Sequence, residues 1–312
     1  MKHLEDTPKF ICDKEKNNYC VYIDTDSNYF HAEPILKKLY PNFDEMSNEE
    51  KDDLVEKLAT ASQDMVGPIL KQITEQSFNQ YNPENQRIDF KNECVLRSGY
   101  IRATRRYTQY ITREEGIPTN KFDIKGLEFK KANFPPKFGK FFEELVLSAL
   151  EGVDKEILDN KVKKFRTEIL DGTIPLSDLA NPTSVKKLNK YTERKARSGE
   201  IFSKIGKGAP AAVKATIIYN DLLRFWNLHK THSEIAQGDK IKWIYLKHNP
   251  YNIEAIALLE WDYPDKMRTF IEEYADRKKI FESVLLNKLE GFYSDMEWQL
   301  NLNPYKEMFF NL

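Results

Sequence analysis

A pair of aspartates in a short alternating segment constrains this chain more than any other sequence feature. Asp24 and Asp26 lie in YIDTDS, residues 22–27, with aromatic and β-branched residues on both sides. The alternation predicts two paired strands joined by a turn at Asp24-Thr25. Carboxylates at i and i+2 of an extended segment point the same way, and Mg²⁺ is commonly shared between one or two carboxylates and substrate phosphates. The segment therefore predicts a metal site at a hairpin tip. The alternative is a turn whose Asp and Ser side chains bond to nearby backbone amides.

Composition places the chain among globular proteins with room for about two domains. It has 312 residues, of which 40% are hydrophobic and 31% charged, so it can bury a sizeable core. No apolar run approaches the roughly 20 residues that span a bilayer, and no signal-peptide core follows the first methionine. Cys12, Cys20 and Cys94 have no metal-ligand spacing, so we expect free thiols in a reducing compartment. These features predict a cytoplasmic protein without a membrane partner.

The formal net charge of −1 conceals a strongly basic segment. Between Ser184 and Lys214 there are nine basic and two acidic residues. A local basic surface, rather than the charge of the whole chain, is what a nucleic-acid backbone meets. The segment is therefore a candidate phosphate-binding surface. Its basic residues are Lys186, Lys187, Lys190, Arg194, Lys195, Arg197, Lys204, Lys207 and Lys214.

Periodicity predicts an α+β protein whose strands are concentrated in the N-terminal part. Helical spacing extends from Asn48 to about Tyr81, with a kink or break at Gly67-Pro68. A turn is expected at Ser98-Gly99. The predicted strands are 87–96, 100–112 and 122–129.

Helices dominate beyond Phe134-Pro135-Pro136, since consecutive prolines can continue neither a helix nor a central strand. One strand, 240–246, is expected after the turn at Gln237-Gly238-Asp239. The predicted helices are 141–150, 155–170, 182–193, 211–226 and 264–281.

Four segments together resemble family B DNA polymerases, particularly those of large bacteriophages. VYIDTDS is similar to the metal-site motif of the polymerase palm. ATRRYTQYI, residues 103–111, resembles the segment in which a Lys-x-Tyr triplet follows the minor groove near the primer terminus. IKGLEFKKANFPPK, residues 124–137, resembles the passage from palm to thumb, and KGAPAAVKATIIYN, residues 207–220, resembles the thumb segment that packs against new duplex. The four occur in the family's order.

The resemblance implies a fold and a domain organisation. It implies a partial polymerase palm, an antiparallel sheet with helices, followed by a mainly α-helical thumb. The implied divisions are a lead segment 1–18, the C-terminal part of the palm 19–133, the thumb 134–305 and a tail 306–312.

The resemblance also implies DNA-directed DNA polymerase activity in phage-type replication, in the cytoplasm of a host cell. Asp26 would be the principal ligand of a two-Mg²⁺ site, with Asp24 beside it, and the ions would join the primer 3′-oxygen to the α-phosphate of the incoming dNTP. Glu93, in RIDFKNECV, is a candidate third carboxylate. Its alternative is a solvated strand glutamate.

Contacts to primer–template DNA are implied at two places. Arg105 occupies the lysine position of the Lys-x-Tyr triplet and Tyr107 the tyrosine position; this keeps the charge but changes the donor geometry. In a single predicted strand, Arg102 and Arg106 share one face, where they could touch phosphates, while Arg105 takes the other. An arginine-rich edge strand that discourages aggregation is the alternative.

Thumb lysines form the second implied DNA contact. Lys207 and Lys214 would supply charge, while Gly206 and Gly208 would allow backbone amides to approach phosphate. Lys137, after the double proline, is a further candidate phosphate contact. An ordinary loop preceding a helix is the alternative for 207–220.

Other expected parts of a polymerase are missing from these 312 residues. A two-metal site draws carboxylates from more than one segment, yet no DxxSLYPS-like, KxxxNSxYG-like or DIE-type exonuclease motif occurs. We therefore expect one product of a split polymerase that needs a separate N-terminal polypeptide. A truncated remnant, acting as a non-catalytic DNA-binding or replisome-interaction protein, is the alternative. A different metal-dependent nuclease or transferase is disfavoured by the thumb segments.

The end of the sequence, NPYKEMFFNL, carries an aromatic cluster. Polymerases of this type end in a short hydrophobic segment that docks on a sliding clamp. Met308, Phe309 and Phe310 are the candidate anchors. Packing of the tail on the thumb is the alternative.

Overall fold

The computed structural model describes residues 19–24, 27–78, 91–259 and 263–302. It is a mixed structure of helices and small antiparallel sheets, so the expectation of an α+β architecture is confirmed at that level. The chain divides into two compact units, one ending at Gly126 and one beginning at Leu127. None of the helices in the described ranges has the length and apolarity required to cross a membrane.

The first unit is built on two antiparallel sheets. The strands β1 and β2 form a hairpin, and β3, β4 and β5 form a three-stranded sheet in sequence order. Because β4 is central and covered on both faces, six consecutive residues of it, 107–112, are buried. The elements are β1 (Cys20–Ile23), β2 (Asn28–Phe30), α1 (Glu33–Leu39), α2 (Asn48–Phe78), β3 (Cys94–Ala103), β4 (Arg106–Glu114) and β5 (Ile117–Lys125).

The long helix α2 begins with a reciprocal cap and is tied to the sheet by ion pairs. The Ser47 N–H donates to the Glu50 carboxylate at 2.8 Å, and the Glu50 N–H donates to Ser47 Oγ at 3.3 Å, which together form a capping box. Arg113 Nε lies 3.1 Å from Glu56 on the helix. Of the predicted kink or break at Gly67-Pro68, the break is wrong, since the helix is continuous through Pro68. A proline removes one helical hydrogen bond, and here the turns on both sides persist.

The predicted strand boundaries in the sheet are wrong. Ser98 and Gly99 lie inside β3, paired with Tyr110 and Gln109, rather than in a turn. The chain instead reverses at Thr104-Arg105, which divides the single predicted strand 100–112 into β3 and β4. Long-range pairing with β4 overrides the local turn preference of Ser-Gly. The arginines 102, 105 and 106 therefore surround a hairpin tip and do not alternate along one strand.

The second unit combines helices with a three-stranded antiparallel sheet of order β10-β9-β6 and a two-stranded sheet, β7-β8. Helix α7 packs on β10 and β9 and buries most of its residues. The helices are α3 (Pro136–Leu150), α4 (Lys155–Leu170), α5 (Leu176–Leu179), α6 (Leu188–Tyr191), α7 (Ala211–Phe225), α8 (Asp265–Tyr274), α9 (Arg277–Phe281), a π-helical turn (Glu282–Leu286) and α10 (Asn287–Asp295). The strands are β6 (Asn181–Ser184), β7 (Thr192–Arg194), β8 (Lys204–Ile205), β9 (Lys240–Tyr245) and β10 (Ala255–Leu258).

One predicted helix of this unit is wrong, and another is interrupted. The segment 182–193 contains the edge strand β6, where Pro182 is tolerated because an edge strand does not need every amide. The segment 264–281 is interrupted after Tyr274, and Asp276 caps a new helix by accepting a hydrogen bond from the Lys279 N–H at 2.9 Å. Strand β10 was not predicted. Helices α4 and α7 agree with expectation to within one residue.

The double proline begins a helix, since Pro135 is the cap of α3 and Pro136 its first residue, a position that proline favours. Cys20 and Cys94 are free thiols. Cys12 lies outside the described residues.

Candidate functional site

The segment around the aspartates forms the expected hairpin. Tyr22 pairs with Tyr29 and Ile23 with Asn28, and the Asp24 N–H donates to the Ser27 carbonyl at 2.9 Å. The chain therefore reverses between Asp24 and Ser27. The Asp24 side chain is 26% exposed. Asp26, the expected principal ligand, lies outside the described residues.

A cluster of three tyrosines joins this hairpin to the central strand of the larger sheet. The ring centroids of Tyr22 and Tyr107 are 5.7 Å apart, and those of Tyr29 and Tyr107 are 6.3 Å apart. Tyr22 and Tyr107 are buried. Burial raises the pKa of the Tyr29 hydroxyl, an effect opposed by its hydrogen bond with Gln109. The cluster fixes the hairpin against β4, because tilted and edge-on aromatic pairs are favourable packing contacts.

The hairpin tip also meets the turn between β3 and β4. The Arg105 N–H donates to Tyr22 Oη at 3.0 Å, and the Tyr22 hydroxyl lies 3.4 Å from Asp24 Oδ2. Arg105 Nε is 3.6 Å from the same carboxylate oxygen. The Arg105 side chain is nevertheless 75% exposed, so part of the guanidinium remains available to an anion. The structure thus brings together two segments that lie about 80 residues apart in sequence.

Two residues that sequence reasoning did not single out support this arrangement. A Cβ added to Gly126 would stand 2.1 Å from the Arg105 carbonyl oxygen, so the end of β5 approaches the turn too closely for any other residue. Lys125 Nζ lies 5.6 Å from the Tyr107 ring centroid. The hydrogen bond with Tyr107 is the main cause that raises the pKa of Lys125, and the hydrogen bond with Asp123 is the second. Both residues lie in IKGLEFKKANFPPK, residues 124–137, but no local spacing in that segment predicts their role.

The donor set is compatible with magnesium as one part of a larger site. Asp24 supplies one carboxylate, and Mg²⁺ is usually held by one or two carboxylates together with substrate phosphates. Within the described ranges no group of three His, Cys, Asp or Glu side chains could hold a metal ion. Asp24, and Asp26 as expected from the sequence, would hold the ion.

Glu93 and Arg106 lie at opposite ends of the sheet. Arg106 is exposed at the start of β4, next to the Arg105 turn. Glu93 precedes β3, and its carbonyl accepts from the Glu115 N–H at 2.8 Å. The ten residues of β3, at about 3.3 Å each, separate Glu93 from that turn. The structure therefore does not bring Glu93 to Asp24.

The candidate thumb lysines are exposed in the second unit. Lys137 lies in the first turn of α3 and Lys214 in the first turn of α7, while Lys207 precedes α7. The structure excludes one of the two glycine amides from the expected phosphate contact. The Gly206 N–H donates to the Tyr191 carbonyl at 2.8 Å, so it is not available to phosphate, whereas Gly208 adopts φ 76° with open space around it.

Part of the basic segment is neutralised within the chain. Arg194 forms a bidentate salt bridge with the Glu200 carboxylate, with N–O distances of 2.7 and 3.0 Å. Lys204 Nζ lies 2.9 Å from the Glu193 carboxylate. The hydrogen bonds from Arg194 and from the Arg197 N–H lower the pKa of Glu200 to about 2. The exposed lysines and Arg197 carry the basic charge that these two pairs do not neutralise. The clamp-docking candidates Met308, Phe309 and Phe310 lie outside the described residues.

Comparison with known proteins adds no family assignment. No protein-family model matches the chain, and no curated protein matches it.

Proposed function

We propose that this chain is the C-terminal part of a family B-type DNA-directed DNA polymerase. It would contribute metal-binding aspartates and primer–template contacts to dNTP addition at a primer 3′ end. The observation that carries the proposal is the meeting of Tyr22, Asp24, Arg105 and Tyr107 at one hairpin tip. Two motifs that the resemblance assigns to a single active centre lie together although they are far apart in sequence.

Each group has a defined task in this proposal. Magnesium, when bound, would stabilise the charge that develops as the primer oxygen attacks the α-phosphate. Asp24 and Asp26 hold the ion. Arg105, exposed beside Asp24, contacts the primer terminus, whereas Tyr107 is buried and holds the ligand-bearing hairpin against β4 instead of contacting DNA as expected from the sequence. The remaining carboxylate and the triphosphate-binding lysine would have to be supplied from outside these 312 residues, since their motifs do not occur among them.

The Tyr22 hydroxyl orients this group of residues. It accepts from the Arg105 N–H and lies within hydrogen-bond distance of Asp24. It therefore links the ligand-bearing hairpin to the DNA-contacting turn. A displacement of about an ångström at such a link is enough to reduce catalysis substantially.

Primer extension tests the proposal. The chain is assayed with a polypeptide that carries the missing motifs, comparing wild type with Asp24→Ala and Asp26→Ala. Each substitution should lower the extension rate about a hundredfold or more, because a metal ion supplies several kcal/mol of transition-state stabilisation. Asp64→Asn is the matched control: this carboxylate is exposed on α2 in the same unit, and its loss should leave the rate unchanged.

A non-catalytic DNA-binding role is the second candidate. The exposed lysines 207 and 214 at the start of α7 favour it, because backbone binding needs no metal. If no combination of polypeptides extends a primer, yet the chain binds duplex DNA with a steep salt dependence, this role replaces the polymerase proposal.

A further inference from the structure

The second unit contains a cavity of about 350 Å³ whose walls are aromatic, amide and basic. Its lining includes Trp243 and Tyr245 on β9, Asn181 on β6, and Lys288 on α10. Its volume lies at the lower end of the range for small-molecule pockets, which begins at about 300 Å³. None of its residues takes part in the Asp24 site, so it needs an explanation of its own.

The sheet supplies the aromatic floor of this cavity. Trp243 and Tyr245 are two residues apart on β9 and so share a face, while Ile244 between them is fully buried on the other. Their ring centroids are 5.0 Å apart with planes at 78°. Asn181 pairs directly with Trp243 across the β6–β9 ladder, which places an amide side chain beside the indole.

The π-helical turn supplies another part of the lining. Ser283 and Val284 line the cavity, and both lie in Glu282–Leu286, between α9 and α10. A π turn is rare, because it interrupts the regular i→i−4 hydrogen bonding, and it occurs frequently at functional sites. Its position here, in the lining of a cavity that also contains two aromatic side chains, is a second and independent indication of a binding site.

The charges around the cavity favour an anion. Lys131 is exposed at the rim, and Lys288 is partly buried, 5.4 Å from the Phe134 ring centroid. Glu128 is the acidic group of the lining and lies 3.6 Å from Lys288. Two lysines against one glutamate leave the lining with an excess positive charge. A phosphate entering the cavity would compete with Glu128 for Lys288.

We propose that this cavity binds one nucleotide unit of single-stranded nucleic acid. The base stacks on Trp243, the amides of Asn133 and Asn181 contact its edge, and the phosphate lies between Lys131 and Lys288. Aromatic stacking combined with basic side chains is the usual means of binding unpaired bases without sequence preference. A free nucleotide has the same chemistry and is the alternative source of the ligand. This inference does not rest on the polymerase activity proposed above.

Fluorescence anisotropy with a labelled oligo-dT and the full chain tests the inference. Trp243→Ala should lower the affinity about tenfold or more, the effect of losing one stacked base. Charge variants give opposite signs: Lys288→Gln should weaken binding and reduce the salt slope by about 0.7, whereas Glu128→Gln should tighten binding. General damage to the fold cannot produce that reversal.

Matched controls use the same unit outside the cavity. Phe225→Ala removes a half-exposed ring and Lys230→Gln an exposed charge, and each should leave the affinity within about twofold of wild type.

Two outcomes support the cavity as a binding site. Competition by dTMP that depends on Trp243 would identify a free-nucleotide site, while binding of oligo-dT alone would identify a single-strand site. Unchanged affinity of Trp243→Ala, or weaker binding by Glu128→Gln, would overturn it. Asp24→Ala should bind oligo-dT like wild type, so this site and the proposed activity can fail separately.

Discussion

Arg105 shows how one residue can combine an unfavourable backbone with an exposed functional group. Its φ is 58°, in the left-handed region that costs a non-glycine residue about 1–2 kcal/mol. A glycine would relieve that cost but would remove the guanidinium that lies 3.6 Å from Asp24. The conformation is held from both sides: the Arg105 N–H bonds to Tyr22, and the Arg105 carbonyl faces Gly126. Residues held in this way are commonly found at functional sites.

Gly126→Ala should destabilise the first unit by about 2 kcal/mol or more. The added methyl group would stand 2.1 Å from the Arg105 carbonyl oxygen, and alanine is also strained at φ 63°. Urea denaturation with hydrogen exchange measured over β3–β5 gives the change in the free energy of unfolding.

Gly116→Ala is the control for backbone strain alone. Its φ is 80°, and the nearest atom to an added methyl group is a Glu56 carboxylate oxygen at 3.2 Å, the end of a side chain rather than backbone. We expect a loss of about 1 kcal/mol. Equal losses in the two variants would mean that Gly126 does not support the turn sterically.

At the scale of elements, the segment from β7 to β8 is organised by a carboxylate within a basic sequence. Glu200 accepts both guanidinium contacts of Arg194 and the Arg197 N–H. A second acidic group, the buried Asp221 of α7, accepts from Ser203 Oγ and from the Ser203 N–H, at 2.8 and 2.7 Å. Burial raises the pKa of Asp221, and the Ser203 hydrogen bonds oppose that shift. The two carboxylates thus hold both ends of the loop that precedes Lys204 and Lys207.

The Glu200 contacts should be lost in acid. The pKa of Glu200 is about 2 in the folded chain against an ordinary value of 4.5, so its stabilisation is present above pH 4.5 and disappears as the pH falls toward 2. Carboxyl carbon chemical shifts in an NMR titration report the midpoint. In Arg194→Gln the midpoint should move up toward 4.5, since the hydrogen bond from Arg194 is the main cause of the shift. A midpoint that stays near 2 in that variant would assign the shift to another group.

At the scale of the whole molecule, a net charge near zero coexists with local groups of exposed basic residues. The formal net charge is −1, yet Lys137, Lys207 and Lys214 are exposed at or near the start of the long helices α3 and α7. Lysines placed there add their charge to the positive end of the helix dipole. Binding to duplex DNA would therefore depend on a few positions and not on the overall charge.

The double variant Lys207→Gln/Lys214→Gln should bind duplex DNA more weakly and with a smaller salt dependence. Each lost phosphate contact lowers the slope of log K against log salt by about 0.9, so the two together should lower it by about 1.8. Anisotropy titrations between low and moderate salt measure the slope. Lys230→Gln, which removes an exposed charge away from these helices, should preserve it. An unchanged slope in the double variant would place the duplex contact elsewhere.

Local sequence patterns predicted those elements whose pattern is complete within a short stretch of sequence. The DTDS hairpin and helices α4 and α7 follow from alternation or helical spacing within a short window. The errors fall where partners distant in sequence decide the outcome. Ser98-Gly99 is held in a strand by β4, and Pro182 in a strand by β9. Neither partner is visible to a local pattern.

The sequence by itself determined that an aspartate pair follows a strand-forming segment and that basic residues collect in one part of the chain, because both features reside in residue order. Only the tertiary structure decided that the Tyr22 hydroxyl accepts a hydrogen bond from the Arg105 N–H, 83 residues away in sequence, and that Gly126 lies against the Arg105 carbonyl. The same holds for the cavity, which needs β6, β9 and a π-helical turn to come together. Such sites depend on side chains that packing brings within a few ångströms, and the entropy of closing long loops is overcome by the burial of the whole unit rather than by any local signal.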